Sequence, residues 1–190
     1  MSVATSLRNL TFEHAAAHVD DGAAVIDLRA PRPYLDVHIP GSLDLVYEFG
    51  PGLPSRARDC LPLDLPLVLL AATEPETVNT AASLRGKGFD VIGALRDGVE
   101  QWGRVRGELA STEQVDRIPE GATALDIGDP GAHAPDDALH IPAEELWARA
   151  PELADHAHVT VIAGFGVRAA LAVGILERAG HANVSFAWTR

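Results

Sequence analysis

Two stretches of the chain hold the residue types from which a loop-based anion or nucleophile site is built. Residues 67–88 (LVLLAATEPETVNTAASLRGKG) and 159–180 (VTVIAGFGVRAALAVGILERAG) each read as a buried apolar strand, a tight loop and a helix. In the second, Gly164 and Gly166 let successive backbone N–H groups converge, and Arg168 adds a guanidinium that donates in pairs. That chemistry suits a small anion such as sulfate or phosphate, with Gly164, Phe165, Gly166, Val167 and Arg168 as its expected lining. The bland alternative is that the glycines only permit a tight turn and that Arg168 pairs with an acid such as Asp126. The first loop, Thr73-Glu74-Pro75-Glu76, has the form of a capping box. Pro75 suits a first helical turn, and Glu74 and Glu76 favour the positive end of the helix dipole. This loop is expected to be closed by its own charge.

The strands leading into the loops end at Ala71 and Ala163. A methyl group offers neither nucleophile nor hydroxyl, so covalent catalysis is not expected at either position. The one thiol, Cys60, follows Asp59, whose charge would raise its pKa, and a passive thiol is the expectation. His14 and His18 stand one helical turn apart near Glu13 and Asp20, but without the His-Glu-x-x-His order no metal is expected. His156 and His158 are read the same way. His38 and His140 sit in two His-Ile-Pro segments and are expected to bond backbone around those turns. Asp27 and Asp126 end apolar strands at the edge where the loops gather, with Arg29 the expected partner of Asp27. Trp102, Trp147 and Trp188 are expected as core or interface anchors. No cofactor is implied.

The elements that must position these residues come in two similar sets. Val25-Ile-Asp-Leu-Arg29, His38-Ile-Pro-Gly-Ser42 and residues 67–88 recur as Ala124-Leu-Asp-Ile-Gly128, His140-Ile-Pro-Ala-Glu144 and residues 159–180. Gly88 and Gly180 close the two helices. Strands alternating with helical segments predict an α/β fold, with a central, mostly parallel sheet flanked by helices in each half. The expected domains are 1–108 and 109–190, joined through residues 107–120, which read as a linker or as an opening helix and strand. The first half closes with a helix around Trp102. The second runs out at residues 183–188 and is expected to lack that helix. Its bare face is then expected to be an apolar patch, covered by the first half or by a second copy of the chain.

The net charge of −12 opposes binding to nucleic acid and to anionic membrane surfaces. The longest apolar run, 159–176, carries Arg168 and reads as core rather than as a membrane span. A lone cysteine excludes an internal disulfide, and no apolar stretch near Met1 suits a signal peptide. A reducing, cytoplasmic location is therefore expected.

Asp27-Leu-Arg29 followed by His38-Ile-Pro-Gly41, the two loop–helix units and the terminus around Trp102 together resemble rhodanese-like sulfurtransferases of bacterial type, in tandem, over nearly the whole chain. The resemblance implies two small α/β domains, the second truncated. Members of that family carry sulfane sulfur as a persulfide on a loop cysteine, and an Asp at the strand end helps to hold the loop. By that resemblance Ala71 and Ala163 stand where the cysteine belongs, Gly166 and Arg168 match a Gly-x-Arg pattern, and Asp27, Arg29 and Asp126 support the loops. The expected function is a catalytically inactive binding or regulatory module, partnered by an unidentified protein or by self-association, with a small anion in the second loop. The alternatives are a sulfurtransferase acting through Cys60 and a sensor of sulfate-type or phosphate-type anions.

Overall fold

Each short apolar run becomes a strand of one of two parallel sheets in a computed structural model that describes residues 7–48, 50–71, 73–95 and 98–189. The first half contains β1 (Asn9–Leu10), α1 (Phe12–Asp20), β2 (Ala24–Asp27), α2 (Pro31–Asp36), β3 (Leu43–Asp44), α3 (Gly52–Cys60), β4 (Leu67–Leu70), α4 (Glu74–Gly86), β5 (Val91–Leu95) and α5 (Gly98–Arg106). The second contains β6 (Glu113–Val115), β7 (Thr123–Asp126), β8 (Leu139–His140), α6 (Ala143–Arg149), a 3₁₀ turn (Ala150–Leu153), β9 (Val159–Ala163), α7 (Val167–Arg178) and β10 (Val184–Trp188). The strand orders are β1-β5-β4-β2-β3 and β6-β10-β9-β7-β8, the same topology twice. No helix among the described residues is long and apolar enough to cross a membrane.

The register makes the duplication exact enough to superpose positions. Val25 lies opposite Val68 and Ile26 opposite Leu69, as Ala124 lies opposite Thr160 and Leu125 opposite Val161. Ala71 and Ala163 therefore occupy equivalent places. Helices α4 and α7 both end at a glycine in the left-handed region, Gly88 at φ +99° and Gly180 at φ +97°, a conformation that costs other residues steric strain. The two His-Ile-Pro segments, in contrast, are not equivalent. Asp126 pairs with His140 as Asp27 pairs with Asp44, so the counterpart of His140 is Asp44, and His38 lies ahead of its strand.

One apolar core runs through both halves. It joins Ile26, Leu43, Leu45 and Tyr34 of the first half to Leu125, Val161, Phe186 and the buried side of α7. Helix α7 packs on its own sheet and also on β3 and α2, so it is buried from both sides. The approach is closest at Gly174, where a Cβ would run into the Ser42 carbonyl and lie 2.9 Å from the Tyr34 hydroxyl. The far face of the first sheet has its own core of Val25, Val68, Leu70 and Leu95 under Phe12, Ala15 and Trp102 of α1 and α5.

The second sheet has no helix on that face among the described residues. The β6–β7 connection contains none, which corrects the expected opening helix, and β10 is the last described element. Nor is this face the exposed apolar patch anticipated: Ile162 and Ala187, which share it, are buried. Thr160 and Ser185, neighbours in register, are buried there and hydrogen-bonded at 3.0 Å, and His158 Nε2 meets Ser185 Oγ at 2.9 Å. Alternation along β9 and β10 points these polar groups away from α7, so their hydroxyls partner each other where helices would otherwise seal the sheet.

Candidate functional site

Strand β4 is buried along its length and delivers Ala71 to a small pocket lined by Asn9, Thr73, Glu74, Thr77, Ala94 and Leu95. Ala72 lies outside the described residues. Thr73 N donates to the Glu76 carboxylate at 3.2 Å, completing a capping box, and Thr77 Oγ1 donates to Glu74 C=O at 2.8 Å. In the reciprocal half of the box the Thr73 side chain accepts from the Glu76 backbone N–H, so the start of α4 is capped by residues of its own turn.

The second loop is served from elsewhere. Helix α7 has no acidic residue in its first turn, and its N-cap is Gly166 at φ +87°. A single carboxylate answers the open donors: Asp129 Oδ2 accepts from Gly164 N at 2.7 Å and Gly166 N at 2.8 Å, while Oδ1 accepts from Arg168 N at 3.0 Å. Asp129 is only 3 % exposed. The converging N–H groups that sequence reading left for an external anion are therefore occupied from within, which corrects the expectation of an open site. Ala163 is buried beneath this arrangement, whereas Phe165 is 73 % exposed. Asp129 escaped sequence reading, although two signals pointed to it. One was a helix start with no acid or hydroxyl of its own; the other was the Asp-Pro-Gly turn just after β7.

Arg168 does not pair with Asp126. Its guanidinium meets Glu144 of α6 at 2.9 Å. Asp126 belongs to the opposite face of the sheet, where its Oδ2 meets His140 Nδ1 at 2.9 Å and its Oδ1 accepts from Gly128 N at 2.9 Å. In the first half Asp27 accepts from Arg29 N at 3.0 Å and Arg29 Nη2 at 2.7 Å, the pair the sequence implied. These contacts hold the strand ends, each carboxylate bonding residues of its own strand-end turn or the neighbouring strand. Beside Asp27, burial and then the Asp27 charge push the Asp44 carboxyl well above the ordinary carboxylate range. Its Oδ1 accepts from Val46 N at 3.1 Å, and Oδ2 has no partner among the described residues.

Cys60 ends α3 and is buried. Burial, then the Glu144 charge, push its thiol up to about 11, with Arg168 pulling in the opposite direction. Such a thiol is neutral at physiological pH and a poor nucleophile.

The histidines separate by environment. His14 is exposed and His18 half-buried on α1, and no cluster of metal-ligating residues occurs among the described residues. His156 Nδ1 meets Thr123 Oγ1 at 2.6 Å. His38 is fully buried, with Nδ1 at 2.9 Å from Tyr34 C=O and Nε2 at 2.9 Å from Glu177 of α7. Glu177 also accepts from Gly41 N at 2.8 Å, and Arg178 donates to Gly22 C=O at 3.0 Å. These polar contacts stitch α7 to the first half. Of the tryptophans, Trp102 packs edge-on against Phe12, Trp147 lies under Arg178, and Trp188 covers Gly166 with Arg32 of the first half over its ring at 5.8 Å.

No family model matches the chain. Among curated proteins it is 35% identical over 94 residues to the thiosulfate sulfurtransferase GlpE of Pseudomonas fluorescens, an alignment covering 47% of this chain and 79% of the relative. To the GlpE of Pseudomonas syringae pv. syringae it is 30% identical over 102 residues, covering 52% of this chain and 89% of the relative. Among solved structures, wild-type EanB aligns over 98% of this chain and 59% of its own length at TM-score 0.50 and 17% identity. An EanB variant in complex with hercynine gives TM-score 0.51 with the same coverage and identity. That likeness extends the shared fold over both sheets.

Proposed function

Because the chain belongs to the rhodanese-like sulfurtransferase family, we propose that it is a tandem member without sulfur-transfer chemistry, acting as a binding or regulatory module for a protein partner or a second copy of itself. One observation carries this reading: both strand–loop junctions present a methyl group, Ala71 and Ala163, and the sole thiol is buried and held neutral. In sulfur transfer a thiolate attacks the sulfane sulfur of thiosulfate, the S–S bond breaks, sulfite leaves and a persulfide remains for an acceptor. A methyl group has no lone pair to begin that sequence. Asp129 lowers the standing of an anion-sensing role, since an external anion must first displace it.

A second reading is favoured by the relatives themselves, which are named thiosulfate sulfurtransferases. In it Cys60 carries the sulfur. With a thiol held near 11, only roughly one molecule in ten thousand is a thiolate at pH 7. The two readings part in an assay with thiosulfate and cyanide. The first expects no thiocyanate above buffer and no added sulfur on the intact protein by mass spectrometry. Turnover that Cys60→Ser abolishes would establish the second and end the first.

A further inference from the structure

His38 is the point at which the two halves and the segment between them meet. Its backbone exchanges hydrogen bonds at 2.9 Å in both directions with Ala110, between α5 and β6, and its ring stacks on Tyr34 of α2 with centroids 4.3 Å apart. The ring is fully buried, and each of its nitrogens faces an oxygen at 2.9 Å: Nδ1 the Tyr34 carbonyl, Nε2 the Glu177 carboxylate of α7. A carbonyl only accepts, so Nδ1 carries hydrogen. The other Glu177 oxygen accepts from Gly41 N at 2.8 Å. A neutral ring would then turn the bare Nε2 lone pair onto a carboxylate oxygen, out of water, where two facing acceptors are costly.

The remaining charged groups around the ring are engaged elsewhere or lie in solvent. Arg29 donates to Asp27 and to the Val37 carbonyl, Arg178 of α7 donates to the Gly22 carbonyl, and His181 lies 3.5 Å from the Ala150 carbonyl. Burial favours the neutral form of Asp44 on β3. Arg32 and Asp36 of α2, and Glu108 and Glu113 on either side of Ala110, are exposed. Glu177 also borders a groove of about 500 Å³ between Pro40, Gly41, Ala110 and the end of α7, which gives a proton its path to solvent.

We infer that one proton fastens the two halves together: His38 stands as an imidazolium against the Glu177 carboxylate, and loss of its proton at alkaline pH loosens α7 from the first half. Only the imidazolium gives both nitrogens a hydrogen to donate. The folded chain holds this proton, whereas the unfolded chain releases it in the ordinary histidine range. Its contribution to stability is therefore complete on the acid side of that range and is lost as pH rises beyond it.

The test compares the full wild-type chain with Glu177→Gln. The amide has the same shape, can donate to a neutral His38, and keeps an oxygen for Gly41 N. Denaturant unfolding of both proteins is followed between about pH 6 and about pH 9, and the ratio of folding constants, wild type to variant, is expected to fall at least tenfold. A ratio that stays constant overturns the inference. In the same buffers the Gly41 N–H is expected to exchange about tenfold faster in wild type than in the variant near pH 9, and no faster near pH 6. Equal exchange at both ends of the range refutes the loosening of α7. Should Glu177→Gln not fold, nitrogen NMR of the wild type at about pH 7.5 decides. Hydrogen on both ring nitrogens of His38 supports the assignment, and hydrogen on Nδ1 alone refutes it.

Discussion

Helices α4 and α7 occupy equivalent positions after equivalent strands, yet their N-termini are satisfied in opposite ways. Helix α4 uses Glu76 from its own first turn. Helix α7 has no such residue and takes its carboxylate from Asp129, 37 residues before Gly166. A cap made within one turn is independent of the remaining fold. A cap imported from another loop exists only when that loop is in place. The same contrast holds along the helices. Helix α4 covers one sheet and turns its other side to solvent, while α7 lies between the second sheet and the first half. The duplicated unit has thus been kept as a self-sufficient element in one half and made into a joint between halves in the other.

The contrast can be broken most directly at a helical glycine in each. Gly174→Ala forces a methyl group into the Ser42 carbonyl and is expected to cost about 3 kcal/mol. Gly86→Ala in α4 meets nothing within 4 Å and is expected to be neutral or to stabilise by up to about 0.5 kcal/mol. Denaturant unfolding measures both, and equal effects would refute the view of α7 as a joint. The far faces of the sheets give a smaller difference. Val68→Thr buries a hydroxyl in the apolar core under α1 and α5, for an expected loss of about 2 kcal/mol. Thr160→Val deletes one partner of Ser185, which keeps His158, and is expected to cost less than about 1 kcal/mol.

A further difference between the halves is electrostatic and depends on pH. The strand-end pair is Asp27 with Asp44 in one half and Asp126 with His140 in the other, two acids against an acid and a base. Burial raises the Asp44 carboxyl in the folded state, so its contribution is fully present below the ordinary carboxylate range and is lost as pH rises through the raised value. Asp44→Asn is expected to gain about 1 kcal/mol at pH 7, a gain that shrinks as the buffer is taken toward pH 4. A gain that stays constant with pH would mean that Asp44 is not the group responsible.

The duplication, the strand sequence, the terminal glycines and the closing helix around Trp102 were all legible in the chain, because each rests on local pattern. The polar pair on the second sheet's far face was missed, and an apolar patch expected in its place, although Thr160 and Ser185 alternate with apolar neighbours. What escaped depended on register or on encounters between distant loops. His38 and His140 share a three-residue match, but the connection after β7 is shorter than that after β2, and pairing shifts His140 onto the strand. Glu144 reaches Arg168 from a helix packed beside it, and Asp126, though nearer in pattern, faces the other way. Asp129 finds its loop only once β7 and β9 lie side by side.

During synthesis the surface around His38 and Gly41 emerges long before its cover. Glu177, which bonds His38, is made 139 residues later, a delay on the order of ten seconds at ordinary elongation rates. Through that interval the nascent first half must stay in solution with a flank of its core unsealed. A stall before residue 167 would release a chain whose exposed seam invites chaperones or mispairing with another nascent copy.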